Sequence, residues 1–122
     1  MARRKREPDV SSFRALRERL LRLEEKEEEE RRNEALQKVQ HIAQLLKNTY
    51  RAEKVYLYGS LAWGGFDRYS DIDIYVIGLT GNYWQAYREV EAIATPIPVN
   101  VTCNEDCLEG LREKVLEKGV LI

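Results

Sequence analysis

GSLAWGGFDRYSDID, residues 59–73, follows a short apolar run, KVYLY at residues 54–58, and leads into a second one, IDIYVI at residues 72–77. Runs of this length, rich in β-branched and aromatic residues, are typical of strands. The residues between them are therefore predicted to form a loop that joins two strands. Because this loop contains glycine, serine and aspartate side chains, it is also the first candidate for a functional site.

Two carboxylates stand at the entrance of the second predicted strand. Because side chains alternate along a strand, Asp71 and Asp73 are predicted to share one face, about 7 Å apart. The apolar residues Ile72, Ile74 and Val76 are predicted to pack on the other face. Neighbouring carboxylates repel each other unless a cation lies between them or one of them takes a proton. Mg²⁺ or Mn²⁺ suits carboxylate oxygens, so the pair is a candidate metal site.

The pair Gly59-Ser60 is a candidate seat for the phosphate of a metal-bound substrate. Glycine lets backbone N–H groups approach an anion closely, and the serine hydroxyl adds a further donor. Each feature alone has a simpler interpretation. A Gly-Ser pair after a strand can be an ordinary turn, and Asp-x-Asp can be solvated or can cap the chain.

Taken together, Gly59-Ser60, ten intervening residues and Asp71-x-Asp73 resemble the signature of the nucleotidyltransferase superfamily related to DNA polymerase β, most closely its minimal nucleotidyltransferase (MNT) branch. The resemblance implies a nucleotidyltransferase fold in which two metal ions are bound by three carboxylates. It implies transfer of a nucleoside monophosphate, for which AMP is the first candidate, from a nucleoside triphosphate to a hydroxyl of a protein or another acceptor. By position, Gly59 and Ser60 would bind phosphate, and Asp71 and Asp73 would bind Mg²⁺ or Mn²⁺.

Asn100 is the main departure from this pattern. The family's third carboxylate lies on the next strand in a Pro-Val-Asp context, and this chain has Pro98-Val99-Asn100 there. Asn100 is therefore assigned the third catalytic position, where a neutral amide offers a metal only its carbonyl oxygen. We expect nucleotide binding to be retained better than transfer. Two alternatives remain, namely that Glu105 or Asp106 supplies the carboxylate, or that Asn100 is an ordinary strand residue in a shifted alignment.

The loop departs from the family in a second way. Relatives commonly have an arginine at one or both of the positions held here by Leu61 and Trp63. Arg68 could replace that charge. Trp63 could stack on a nucleotide base, or it could cover the core.

The predicted fold is α/β (α+β), a small mixed sheet with helices packed on it. Residues 34–122 form the predicted catalytic domain, and residues 1–33 a charged N-terminal helical extension. The predicted elements are helix 34–48, strand 54–58, strand 71–77, helix 83–94 capped by Asn82, strand 98–103, helix 105–118 capped by Asn104, and an edge strand at 120–122. In the last helix, four apolar side chains are predicted to face inward: Leu108, Leu111, Val115 and Leu116.

The extension carries an apolar stripe with the spacing 3, 4, 3, formed by Phe13, Leu16, Leu20 and Leu23. This spacing is typical of a coiled coil, although Glu27 and Glu30 stand where the stripe would continue. The stripe indicates self-association or partner binding, or else a solvated extension that packs on its own domain. The helix can run unbroken into helix 34–48, and residues 1–8 are predicted to be disordered.

The chain has 20 basic and 21 acidic residues, and they are segregated along it. Residues 1–22 are basic, six glutamates follow between Glu24 and Glu30, and the part beyond Asn33 is mildly acidic, which does not favour non-specific nucleic-acid binding there. The two cysteines, Cys103 and Cys107, are predicted to be reduced thiols, and His41 is not expected to be catalytic. Without an apolar run long enough for a membrane span, the predicted location is the cytoplasm.

Two classes of function follow from the sequence. One is a Mg²⁺-dependent nucleotidyltransferase of low activity. The other is a non-catalytic binding module, the antitoxin partner of a HEPN-domain protein, because members of the MNT branch are often paired with such proteins. The complete Gly59-Ser60 and Asp71-x-Asp73 motifs favour the enzyme, whereas Asn100 favours the binding module.

Overall fold

The computed structural model describes residues 10–122, with side chains described from Ser12 onward. In chain order the elements are α1 (Val10–Asn48), β1 (Lys54–Tyr58), α2 (Ser60–Trp63), β2 (Ile72–Ile77), α3 (Tyr83–Ala94), β3 (Val99–Cys103), a 3₁₀ turn (Asn104–Asp106), α4 (Glu109–Lys118) and β4 (Val120–Leu121). The predicted fold class is confirmed. Residues 1–8, for which disorder is predicted, lie outside the described residues. Within the described part of the chain, no helix combines the length and the apolar character that crossing a membrane requires.

The strands form a mixed sheet in the order β3-β2-β1-β4. Strand β1 is antiparallel to both of its neighbours, whereas β2 and β3 are parallel. A parallel pair needs a crossover connection, which α3 supplies. The register places Tyr58 opposite Asp73, and Asp73 opposite Asn100. Three neighbouring strands therefore bring these side chains to one end of the sheet.

The core lies on one face of the sheet, between the strands and the helices α1 and α3. On β2 the alternating residues Ile72, Ile74 and Val76 are fully buried, which confirms the predicted face. The helices contribute Ala35, Val39, Ile42 and Leu46 from α1, and Ala86, Val90 and Ala94 from α3. Each large apolar side chain buried in this way is worth about 1.5–3 kcal/mol.

Helix α1 runs without a break through the predicted boundary between extension and domain. Its side chains from residue 12 to residue 30 are all exposed, and burial begins only at Arg31. The stripe of Phe13, Leu16, Leu20 and Leu23 is 52–54% exposed. The interpretation that the stripe packs on its own domain is therefore not supported.

The free edge of β3 is covered by two tyrosines of α3. The Tyr83 hydroxyl donates to the carbonyl oxygen of Val101 at 2.6 Å, and the Tyr87 hydroxyl donates to that of Val99 at 3.1 Å. Unpaired carbonyls at a sheet edge are a template for pairing with another chain. The tyrosines satisfy these two carbonyls from within the molecule.

The prediction for the last helix is wrong at its start. Residues 104–106 form a 3₁₀ turn, and α4 begins only at Glu109. The Asn104 side chain does not cap a helix, because its Oδ1 accepts a hydrogen bond from the hydroxyl of Tyr75. Leu108 is 82% exposed and Leu116 is half exposed, so of the four predicted inward residues only Val115 is fully buried. The loop prediction also missed the short helix α2.

Candidate active site

Asp71 and Asp73 converge on the side chain of Asn100. The Asn100 Nδ2 donates to Asp71 Oδ2 at 3.2 Å and to Asp73 Oδ1 at 3.1 Å. This geometry arises because Asp71 and Asp73 share a face of β2 and because the parallel register sets Asn100 beside Asp73. The structure thus brings together the three residues for which the sequence predicts catalytic positions.

Two opposing effects act on the pKa of Asp73. Burial is the main cause that raises the pKa of Asp73 above its ordinary value, and the neighbouring Asp71 carboxylate raises it further. The Asn100 hydrogen bond acts in the opposite direction and lowers it. An amide NH₂ has two N–H donors, enough to give one to each carboxylate. Asn100 therefore relieves part of the repulsion between the two aspartates.

Gly59 abuts the same carboxylate. Its φ of 75° lies in the left-handed region that favours glycine. A Cβ built on Gly59 would overlap Oδ2 of Asp73. A glycine at this position lets the backbone of the loop lie against the aspartate.

Ser60 begins α2 immediately beside this contact. The turn is closed by backbone bonds from Ala62 and Trp63 to the Gly59 carbonyl, at 3.1 and 2.9 Å. The first N–H groups of a helix have no intrahelical acceptor. The turn therefore presents backbone donors next to two carboxylates, a combination that suits a metal-bound phosphate.

The donor set fits a metal only in part. Among residues 10–122 no group of three or more histidine, cysteine, aspartate or glutamate side chains is arranged to bind a metal ion. Glu105 and Asp106, the predicted substitutes for a third carboxylate, lie in the 3₁₀ turn beyond the far end of β3. Asp71 and Asp73 remain as a two-carboxylate set, which is sufficient for Mg²⁺ when a substrate phosphate supplies further oxygens.

The sequence matches the family described as polymerase beta, nucleotidyltransferase, over residues 40–122. This chain belongs to that nucleotidyltransferase family.

The fold of this nucleotidyltransferase is also found among solved structures. One of them is described as the toxin-antitoxin MntA-HpeT in a mutant form with two aspartate-to-glutamate substitutions. It matches with a TM-score of 0.55 and 23% sequence identity, over 69% of this chain and 70% of that chain. No curated protein matches the sequence. At this level of identity, the likeness to the solved structure shows the shared fold.

Tyr58 and Thr102 extend the polar face of the nucleotidyltransferase sheet beyond the aspartates. The Tyr58 hydroxyl and Thr102 Oγ1 are 3.3 Å apart. Burial is the main cause that raises the pKa of Tyr58, with Asp73 adding to it. Neither residue was predicted from the sequence to belong to the site. The same strand alternation that places Asp73 places both of them on its face, so this signal could have found them.

Trp63 and Arg68 have local partners in the nucleotidyltransferase domain. The Trp63 Nε1 donates to the carbonyl oxygen of Lys118 at 2.8 Å, and the Nζ of Lys114 lies 5.0 Å from the centre of the indole ring. The indole thus ties α2 to the end of α4, and stacking of its 40% exposed ring on a nucleotide base stays a prediction. The Arg68 guanidinium lies over the ring of Tyr69, 5.2 Å from its centre.

Proposed function

We propose that this protein binds a nucleoside triphosphate, with ATP as the first candidate, together with Mg²⁺ or Mn²⁺, and slowly transfers the nucleoside monophosphate to a hydroxyl of a protein or another acceptor. One observation carries the proposal, the convergence of Asp71, Asp73 and Asn100 beside the close approach of Gly59. Membership of the nucleotidyltransferase family supports the reaction type.

In this reaction the acceptor oxygen forms a bond to the α-phosphorus. The bond from that phosphorus to the oxygen bridging to the β-phosphate breaks, and pyrophosphate leaves with the electron pair. The metal ions would lower the pKa of the attacking hydroxyl and neutralise the charge of the leaving group. Asp71 and Asp73 would hold the metal, Gly59 and Ser60 would orient the phosphates, and a nearby carboxylate or water would take the acceptor's proton.

Asn100 explains why we propose a slow reaction. Its amide presents N–H groups to the carboxylates, and those donors repel a cation. To bind a metal, the amide must turn so that its carbonyl oxygen faces the ion. Even then the site holds one negative charge fewer than a site with three carboxylates, so the charge that develops at the attacking oxygen is stabilised less.

A second candidate function is that of a binding module in a toxin-antitoxin pair, with a HEPN-domain protein as the partner. The solved structure with the matching fold is described as a toxin-antitoxin MntA-HpeT. Its two substituted aspartates are two residues apart in that chain, the spacing of Asp71-x-Asp73 here. This parallel supports the MNT branch and the importance of the aspartate pair.

Labelling with α-labelled ATP tests both functions. The protein is incubated with Mg²⁺ or Mn²⁺ and with a HEPN-domain protein, and incorporation of label is measured. Asp71→Ala/Asp73→Ala should abolish labelling. Glu105→Ala/Asp106→Ala is the matched control, because it removes two carboxylates outside the site and should leave labelling unchanged.

Asn100→Asp completes the design. It restores a third carboxylate and should raise the rate by roughly tenfold or more, equivalent to about 1.4 kcal/mol of transition-state stabilisation. If neither the wild-type protein nor any variant incorporates label, and none of them binds nucleotide, the catalytic function is excluded. Tight complex formation with the HEPN-domain protein under those conditions would establish the binding module instead.

A further inference from the structure

The apolar stripe on α1 has no role in the active site. Phe13, Leu16, Leu20 and Leu23 follow one another at the spacing 3, 4, 3, and each is 52–54% exposed. Single exposed leucines are ordinary on a protein surface. Four in register along one helix form the a and d positions of a coiled coil.

The stripe is separate from the part of α1 that packs on the domain. Ala35, Val39, Ile42 and Leu46 form the packed face of α1, and at 100° per residue it lies roughly a quarter turn from the stripe. The exposed segment from residue 12 to residue 30 is about 30 Å long at 1.5 Å per residue. A partner can therefore cover the stripe without displacing any core contact.

The charges beside the stripe select the orientation of the partner. With Phe13 at an a position, Arg19 is at g and Glu24 is at the following e. In a parallel pair of identical helices, the g residue of one helix lies beside the next e residue of the other. Arg19 of each copy therefore faces Glu24 of the other copy, and the dimer has two such pairs. In an antiparallel pair g meets g, and Arg19 would face another Arg19.

The seam also has a defined end. Glu27 and Glu30 occupy the next a and d positions. In a parallel pair they would face their own counterparts, and like charges in a seam are unfavourable. The apolar seam therefore ends before the catalytic domain begins.

We propose that this chain forms a parallel homodimer through residues 13–24 of α1, independently of the proposed transfer reaction. A membrane surface is the less favoured occupant. The apolar stripe is one a/d seam wide, narrower than the face of a helix that lies in an interface. The six glutamates that follow it would be repelled by anionic lipid.

Sedimentation equilibrium of the full chain tests the dimer over a concentration series from about 10 µM to about 1 mM. The weight-average mass should rise from 14.3 kDa for one chain toward twice that value. Leu16→Glu/Leu20→Glu should keep the chain monomeric throughout, with the circular dichroism of the folded domain preserved. Leu21→Glu is the matched control, because Leu21 is 48% exposed but lies off the stripe, and it should dimerise like wild type.

Charge reversal tests the orientation. Arg19→Glu and Glu24→Arg should each weaken the dimer about tenfold or more, and the double variant should restore it. An antiparallel dimer would show no such rescue. A monomeric wild type, a dimer that survives Leu16→Glu/Leu20→Glu, or a monomer that floats with anionic phosphatidylserine vesicles would overturn the proposal.

Discussion

The position of the Asp73 carboxylate depends on the absence of a side chain at Gly59. Gly59→Ala adds a Cβ that overlaps Asp73 Oδ2 and forces alanine into a positive φ. We expect a loss of about 1–3 kcal/mol in the free energy of unfolding from backbone strain, and a further loss from displacement of the carboxylate. Urea denaturation measures the first effect, and calorimetric titration with Mn²⁺-ATP measures loss of binding at the site.

Gly65→Ala is the control that separates these two effects. Gly65 also has a positive φ, of 84°, but no described atom lies within 4 Å of a Cβ built on it. Gly65→Ala should lower the free energy of unfolding through backbone strain alone, and it should still bind nucleotide. Equal losses of binding in Gly59→Ala and Gly65→Ala would contradict the assigned role of the Gly59 contact.

Asp73 should make the protein less stable as the pH rises. Burial raises the pKa of Asp73 above its ordinary value of 3.8, so the folded state binds the proton more tightly than the unfolded state does. The protonated Asp73 carboxyl contributes its full stabilisation when the pH is below the pKa that Asp73 has in the unfolded state. This contribution is lost as the pH rises through the higher pKa that Asp73 has in the folded state. Asp73→Asn should therefore raise Tm at neutral pH, and its advantage should vanish toward about pH 4.

Thermal denaturation monitored by circular dichroism across this pH range measures the difference. Asp106→Asn, at an exposed position outside the site, is the control and should follow the wild-type profile. An Asp73→Asn variant less stable than wild type at neutral pH would contradict the predicted strain in the carboxylate pair.

At this residue level, the sequence predicted much of the site. Alternation along β2 indicates that Asp71 and Asp73 share a face, and the motif points to Asn100. The bridge from the Asn100 amide to both carboxylates was not predictable, because it depends on the register between β2 and β3. That register pairs residues 27 positions apart in the chain, and a pairing of that range leaves no local signal in the sequence.

Among the elements, the edge strand β3 depends on α3 for protection. Tyr83→Phe/Tyr87→Phe removes the hydroxyls that bind the carbonyls of Val101 and Val99, while the rings stay in place. Each lost hydrogen bond should cost about 0.5–1.5 kcal/mol, and the exposed carbonyls should promote pairing between sheets. Urea denaturation measures the first effect, and light scattering during storage measures the second.

Tyr69→Phe provides the comparison for the edge tyrosines, because Tyr69 is exposed in the loop before β2 and should show neither effect. Aggregation of both variants at the same rate would mean that the edge is protected by something other than the two hydroxyls.

Helices α3 and α4 show what local signals can and cannot predict. The bounds of α3 agree with the prediction, since Asn82 Oδ1 accepts from the backbone N–H groups of Trp84 and Gln85 at 2.9 and 3.2 Å. Asn104, like Asn82, directly precedes a stretch that is predicted to be helical, so the sequence predicts it as an N-cap in the same way. Its side chain is instead bound to Tyr75, a residue 29 positions away, and a contact of that range leaves no local signal.

For the whole molecule, the nucleotidyltransferase-family domain and the exposed half of α1 are joined by one continuous helix. The family match begins at residue 40, yet α1 already contributes Ala35 and Val39 to the core. Lys38 also donates to the carbonyl oxygens of Ala94 and Thr95, at 3.2 and 2.7 Å, where α3 ends. The packed part of α1 therefore begins near Arg31, well before residue 40, and the domain boundary at residue 34 stays a prediction.

Two truncations test where the folding unit begins. Removal of residues 1–30 deletes only exposed described side chains, so the remaining domain should keep its cooperative unfolding, with a change within about 1 kcal/mol. Removal of residues 1–40 also deletes Ala35, Val39 and the Lys38 bonds to the end of α3. The buried Val39 side chain alone is worth roughly 1.5–3 kcal/mol, so this truncation should lower the free energy of unfolding by at least that amount. Thermal unfolding of both truncated chains decides between the boundaries. Equal stability of the two would place the start of the folding unit at residue 41. Loss of folding on removal of residues 1–30 would place it within the exposed helix.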